Sequence, residues 1–332
     1  MNDMLNARGE AYRLLARLWL AEIDAPLADA LRTLPGFAEH IPHEIDAAWL
    51  DDMAAEYGRL LAQNVYPYES MFVGDDLMLN TDITRRVESL YRLTPFAPDT
   101  ARVAAPDHLG VELRFMAELI AAEAVGRTPD HARHLQARCL GEHLARWAPV
   151  CALTVARLAP HPIYRALAQL TWELVLADAA LTPSAKTLTQ PLPEGEESES
   201  QEPSPFGRGQ GEGLDAGGEE PESLGQVARA LLTPARVGVF LCRDDMRRIG
   251  RALGLPTPLG DRFAMLRALF EAAAQFDLLP ALLDALDALW RAADAEIVAL
   301  MADAPAWQPY GQPWRAHLAS GQALLAGIRE SL

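Results

Sequence analysis

One stretch of this chain cannot build a folded core, and its position divides the sequence in two. Residues 190–222 contain ten acidic residues, one basic residue and almost no apolar side chains, so they carry a net charge of −9. Such a composition cannot bury enough apolar surface to offset the entropy lost on ordering. We therefore predict a folded region over residues 1–189, a disordered acidic linker over 190–222 and a second folded region over 223–332.

Both folded regions have the hydrophobic periodicity of helices. From Asp107 to Ala124, apolar residues recur every three or four positions, which predicts a helix of about five turns with Glu112 on a polar face. Its apolar stripe is Leu109, Leu113, Met116 and Ile120. Other helices are predicted in the opening segment and over 45–61, 82–91, 129–147, 162–176, 263–276 and 280–301. The nearest strand candidate, 237–241, is too short for a sheet, so the sequence predicts an all-α fold.

Charge and composition exclude several functional classes. The 332 residues carry a net charge of −17, and we find no basic patch, so nucleic-acid binding is not expected. The three cysteines are too widely spaced for a disulfide framework or a structural zinc site. The first 25 residues carry charges where an export signal needs an apolar run, and no stretch is long enough for a membrane helix. These features predict a cytoplasmic protein without membrane insertion.

Four motifs lie in the first region, in the order EYGRLL (56–61), YPYESMF (66–72), DITRRVESLY (82–91) and APDHLGVELRFM (105–116). Pro67 and its flanking tyrosines predict a rigid aromatic turn that places Glu69 beside it. Asp107 stands where an aspartate can cap the following helix, and it can equally serve a ligand. The sequence leaves both roles open.

Histidines offer a second type of chemistry. His108 and Glu112 are four residues apart on one predicted helical face, a spacing that suits an acid and base pair or two metal ligands. Without a third ligand or a nucleophile, we expect them to orient one another at the helix start. His131 and His134 form a further pair, which we expect to be exposed rather than metal-bound.

The four ordered motifs resemble those of the TorD/DmsD/NarJ-type redox-enzyme maturation chaperones. The resemblance covers roughly residues 1–184, with departures at Leu61, Tyr66 and Pro95. It implies a helical bundle that binds the twin-arginine leader of a molybdoenzyme catalytic subunit until cofactor insertion is complete. The signal-peptide-binding residues that it implies are Tyr68, Glu69, Asp107 and His108, to which we add Glu112 for its helical spacing. Carboxylates suit such a leader because they bind guanidinium groups bidentately.

The predicted function is therefore that of a binding chaperone, not an enzyme, with no cofactor of its own and with a homodimer left open. One alternative is a metal-dependent hydrolase built on His108, Glu112 and the His131/His134 pair. A third possibility is a structural scaffold whose carboxyl-terminal helices dock a second protein. The second region carries a weaker resemblance to the carboxyl-terminal extension of longer members. Its mixed charges over 243–248 (RDDMRR) predict a solvated helix face.

Overall fold

The computed structural model describes residues 2–98, 103–126, 129–181, 223–256 and 260–332, and within them every regular element is helical. The extended pairing recorded in these ranges is one isolated antiparallel bridge, between Tyr68 and His108. The all-α prediction is thus confirmed. The linker predicted over 190–222 lies outside the described residues. None of the described helices is long and apolar enough to cross a membrane.

The described residues of the first region form nine α-helices: α1 Asn2–Leu20, α2 Ala25–Leu31, α3 Ala47–Tyr57, α4 Glu69–Val73, α5 Asp82–Tyr91, α6 Leu109–Val125, α7 Pro129–Arg138, α8 Ala145–Leu158 and α9 Pro162–Leu181. Two stretches of wider π-helical winding interrupt them. Gly58–Asn64 extends α3, and Cys139–Leu144 joins α7 to α8. A short 3-10 turn covers Ala38–His40.

Local sequence explains where several of these helices start. Asp24 and Asp46 accept hydrogen bonds from the backbone N–H three residues ahead and so cap α2 and α3. Thr81 caps α5 through its hydroxyl oxygen, and α5 spans the range predicted from the sequence. Helix α6 is packed along α1, and Gly110 permits the contact, because a Cβ there would meet Leu20 Cγ at 2.5 Å.

In the second region, the described ranges 223–256 and 260–332 form six more α-helices: α10 Leu224–Leu232, α11 Pro234–Val237, α12 Arg243–Ala252, α13 Arg262–Gln275, α14 Leu279–Asp303 and α15 Gln308–Glu330. A 3-10 turn at Pro305–Trp307 connects α14 to α15. Helices α14 and α15 pack against each other as a long hairpin, and α10 packs on α13.

Two tryptophans of the second region bond to the backbone of α8. Trp307 donates its indole N–H to the Ala145 carbonyl at 2.7 Å, and Trp314 donates to the Arg146 carbonyl at 2.6 Å. Helix α8 continues through Pro149 to Leu158, so the helix end predicted at Trp147 was wrong. Proline lacks the N–H that would pair with the Ala145 carbonyl, and the Trp307 indole takes that place.

Acidic residues at the start of α12 make further contacts between the regions. Asp244 forms an ion pair with Arg59, and the fully buried Asp245 forms one with Arg157. The prediction of a solvated face over 243–248 was therefore wrong for these two aspartates, because their partners come from the first region and have no sequence signal. The division into domains at residues 190–222 stays a prediction.

Candidate functional site

The second and fourth motifs lie side by side in the structure. Around the Tyr68–His108 bridge, the Glu69 N–H donates to the Asp107 carbonyl at 2.9 Å. The Leu109 N–H donates to the Pro67 carbonyl at 2.8 Å. The start of α4 and the start of α6 are thereby held together, and the candidate residues of both motifs come into one cluster.

Asp107 caps a helix, but not the helix that follows it in sequence. Its Oδ2 accepts from the Ser70 backbone N–H of α4 at 2.9 Å, whereas α6 is capped by His108. Capping of the long helix, one of the two roles that the sequence left open for Asp107, is therefore not what this side chain does. Asp107 is fully buried, and its Oδ1 and the Ser70 hydroxyl have no hydrogen-bond partner among the described residues.

His108 is the N-cap of α6. Its Nδ1 accepts from the Gly110 backbone N–H at 3.1 Å, and its ring stands edge-on to Tyr68 with 4.9 Å between ring centroids. Burial lowers the pKa of His108 to about 3, so the ring is neutral at physiological pH. Among the described residues no hydrogen bond joins its side chain to Glu112, so the expected mutual orientation of these two side chains was wrong.

Glu69 pairs with a histidine that the sequence did not associate with it. His143 Nδ1 lies 2.7 Å from Glu69 Oε2, and both side chains are buried. The pair is 74 residues apart in the chain and is brought together where the π-helical stretch 139–144 faces α4. No local pattern could have indicated it.

Glu112 faces the interior, not the polar face that was predicted. It is 1% exposed, its Oε2 accepts from the Trp147 indole N–H at 3.3 Å, and its Oε1 has no partner among the described residues. Burial raises the pKa of Glu112 well above its ordinary value, and the nearby Glu69 and Asp107 carboxylates raise it further. Glu112 can therefore retain its proton where a surface glutamate would lose it.

Tyr68 is the member of the cluster that reaches the surface. It is half-buried, and its hydroxyl oxygen accepts from the Ala104 backbone N–H at 3.0 Å. Tyr91, from the third motif, donates its hydroxyl hydrogen to the Pro106 carbonyl at 3.1 Å. The structure thus brings together Tyr68, Glu69, Asp107, His108 and Glu112, and it adds Tyr91, His143 and Trp147 to them.

The other two histidines do not join this cluster. On α7, His131 is exposed and His134 is half-buried. No group of three or more histidine, cysteine, aspartate or glutamate side chains in the described ranges has the geometry to hold a metal ion. The ligand set that the hydrolase alternative requires is not assembled in this part of the chain.

A cavity of about 520 Å³ opens beside the cluster, with Glu69 and His143 at one wall. Arg86, Arg138 and Arg146 also line it. Glu142 lines the cavity as well and forms an ion pair with Arg138, so the lining carries charges of both signs.

A family model described as nitrate reductase delta subunit matches residues 20–152. The model is that of a NarJ/TorD-type chaperone family, so residues 20–152 are similar to this family. The NarJ/TorD-type match begins at the end of α1, ends within α8 and includes all five predicted site residues. Proteins of this family are molybdoenzyme maturation chaperones. A search of curated proteins found no match.

Residues 223–332 lie outside the NarJ/TorD-type match. The residues of this second region that contact α8 are therefore not covered by the family model.

Proposed function

We propose that this protein is a cytoplasmic chaperone that binds the twin-arginine leader of a molybdoenzyme catalytic subunit and retains that subunit until its cofactor is inserted. One observation carries the proposal. Motifs from three separate segments, at 66–72, 82–91 and 105–116, converge on one buried hydrogen-bonded cluster inside the stretch that matches the NarJ/TorD-type family.

The charge of the chain supports a cationic partner. Residues 1–189 carry 25 acidic and 17 basic residues, a net charge of −8. A peptide with two adjacent arginines is attracted to such a surface, and each guanidinium can bind a carboxylate through two parallel hydrogen bonds.

Within this proposal, the five predicted residues differ in what they contribute. Tyr68 can touch a bound peptide directly because part of its ring is exposed. Glu69, Asp107, His108 and Glu112 are at most 5% exposed. Asp107 holds the start of α4 beside α6 and so helps to set the position of Tyr68, whereas the side chains of Glu69 and Glu112 bond to His143 and Trp147. We assign none of them a catalytic role.

A leader-binding experiment tests the proposal. Isothermal titration calorimetry of the full chain with a synthetic twin-arginine leader should give saturable binding that weakens as salt rises. Replacing the arginine pair by lysines should weaken binding more than the unchanged charge suggests, because lysine lacks the planar two-point contact.

A full chain that binds neither the leader nor a co-expressed molybdoenzyme subunit would contradict the proposal. Light scattering of the same samples determines whether the homodimer forms.

A further inference from the structure

Three arginines from three helices line the cavity of about 520 Å³ beside the Tyr68–His108 cluster. Arg86 lies on α5, Arg138 is the last residue of α7, and Arg146 is in the first turn of α8. Like charges that converge on one cavity repel each other, and a negative charge between them relieves the repulsion. The guanidinium groups that have no carboxylate partner therefore indicate what this cavity binds.

The two carboxylates of the lining are already paired. Glu142 accepts from Arg138 Nε at 2.8 Å and from Arg138 Nη2 at 3.0 Å. Glu69 Oε2 lies 2.7 Å from His143 Nδ1, and both of these side chains are buried. Neither carboxylate is left to neutralise the other two arginines of the lining.

Arg86 and Arg146 are those two arginines. The side chain of Arg86 forms no hydrogen bond or ion pair among the described residues. Within the same ranges, the side chain of Arg146 donates only to the Glu142 backbone carbonyl, at 3.3 Å. Two guanidinium groups without acidic partners make this side of the cavity complementary to an anion and not to a cationic peptide.

His143 adds a buried group to the same cavity. It is 4% exposed and lines the cavity, and its Nδ1 is the nitrogen that meets Glu69. Nε2 is therefore the ring nitrogen left for a ligand. When both nitrogens carry hydrogens, Nδ1 donates to the carboxylate and Nε2 can donate into the cavity.

The charge and the arrangement of these groups match a phosphate. A phosphate monoester carries a charge of about −1.5 to −2 at pH 7 and three strong acceptor oxygens, which suits two guanidinium groups and a histidine on separate elements. A carboxylate carries one charge and has two oxygens in one plane, which a single arginine can bind. The cavity of about 520 Å³ lies within the size range of small-molecule sites, so it has room for more than the phosphate group.

A second cavity, of about 420 Å³, continues from the first. Gly141 and Arg146 line both, and the second region contributes Tyr310 and Trp314 to the lining of the second. Aromatic side chains pack well against a ring of a ligand. Asp75 also lines the second cavity and repels an anion there, which leaves the phosphate group in the first.

We infer that the two cavities bind a small organic phosphate, with its phosphate group between Arg86 and Arg146 and an aromatic ring against Tyr310. Tyr310 lies outside residues 20–152, so the second region completes this site beyond the family match. The inference does not depend on leader binding.

Phenyl phosphate is the probe for this site, and benzoate and inorganic phosphate are its comparators. Isothermal titration calorimetry of the full chain should show phenyl phosphate binding about tenfold or more tighter than benzoate, because benzoate makes fewer charged hydrogen bonds. Inorganic phosphate should bind more weakly than phenyl phosphate because it has no ring. Benzoate that binds as tightly as phenyl phosphate would overturn the assignment of a phosphate.

Arg86→Gln tests the phosphate end of the site. It should weaken phenyl phosphate binding about tenfold, because a hydrogen bond from a charged donor is lost. Arg85→Gln is the matched control, since Arg85 is the adjacent residue of α5, lies outside the lining and pairs with Asp82. It should leave the affinity within about twofold, because exposed charges are screened. Arg86 is exposed, so the fold should be retained, and thermal melting checks this.

Tyr310→Leu tests the ring end. It should weaken the binding of phenyl phosphate and leave that of inorganic phosphate unchanged within about twofold, because only the former has a ring to stack. Equal binding of phenyl phosphate to this variant and to the wild type would overturn the placement of the ring.

Two further outcomes would overturn the site as a whole. One is equal affinity of the wild type, Arg86→Gln and Arg85→Gln for phenyl phosphate. The other is no binding of phenyl phosphate to the wild type at millimolar concentrations. Leader titrations on the folded Arg86→Gln variant should match those on the wild type, and a leader that binds this variant more weakly would show that Arg86 does not serve a separate anionic ligand.

Discussion

Trp307 completes the hydrogen bonding of α8 at the point where Pro149 interrupts it. The Ala145 carbonyl would normally accept from the N–H of residue 149, which proline lacks, and the Trp307 indole N–H reaches it at 2.7 Å. This contact ties the start of α15 to α8, so a side chain that follows the acidic stretch in sequence completes the hydrogen bonding of a helix that precedes it.

Trp307→Phe should remove this bond and leave the Ala145 carbonyl buried without a partner. We expect a loss of about 1–3 kcal/mol in the free energy of unfolding, measured by urea denaturation. In a Pro149→Ala background, the restored backbone N–H can bond to that carbonyl, so the same substitution should cost less. Equal costs in both backgrounds would show that the tryptophan acts by packing alone.

Two substitutions of Asp107 should separate its role as a helix cap from a role in leader binding. Asp107→Asn retains an oxygen that can accept from the Ser70 N–H, so its melting temperature should stay close to that of the wild type, whereas Asp107→Ala should lose about 1–2 kcal/mol. Leader titrations on the folded Asn variant then report the role of the charge. Unchanged leader affinity would remove Asp107 from the leader-binding set, and an unfolded Asn variant would show that its structural role dominates.

His108 should make stability depend on pH. Its pKa is about 3 in the folded state and near 6.5 when unfolded, so between these values the unfolded chain binds more protons. Stability from this group is therefore complete above pH 6.5 and is lost as pH falls toward 3. His108→Asn keeps a cap acceptor without the titration, and it should flatten the curve by up to about 1.4 kcal/mol per pH unit. Superimposable slopes for the two proteins would contradict this.

Removing the Asp245 carboxylate should lower the free energy of unfolding strongly. It accepts from Arg157, from Arg248 at 2.8 Å and from the Cys242 backbone N–H at 3.2 Å, and Arg157 has little exposure. Asp245→Ala leaves that guanidinium unpaired, and we expect a loss of about 3–5 kcal/mol in urea denaturation. Asp284→Ala, which breaks an exposed pair with Arg329, is the control and should cost at most about 1 kcal/mol. Similar losses in the free energy of unfolding for Asp245→Ala and Asp284→Ala would show that burial does not determine how much an ion pair contributes to stability.

Limited proteolysis should cut first within residues 190–222, as their composition predicts. The two fragments should then elute together in size-exclusion chromatography, because Trp307, Trp314 and Asp245 still bind the first region. Fragments that separate while folded would establish two independent domains.

Local patterns predicted the helices well because their causes are local. The apolar stripe of α6 is buried as expected, at 0–1% exposure for Leu109, Leu113, Met116 and Ile120. Helix α5 has the predicted limits because Thr81 caps its start, and this signal lies within three residues of the helix. The sequence also located the site motifs, whose order and spacing indicated the family that residues 20–152 match.

What the candidate residues do was decided by the tertiary structure. Asp107 caps α4 because the chain brings residues 66–69 alongside 106–109, and a cap needs only a nearby oxygen, whatever its distance in sequence. Glu69 meets His143, and Asp245 meets Arg157, across 74 and 88 residues. Periodicity along one helix identifies an apolar face, but it cannot identify which other helix faces a polar side chain. That partner determines the burial and the pKa of Glu112, and through them its chemistry.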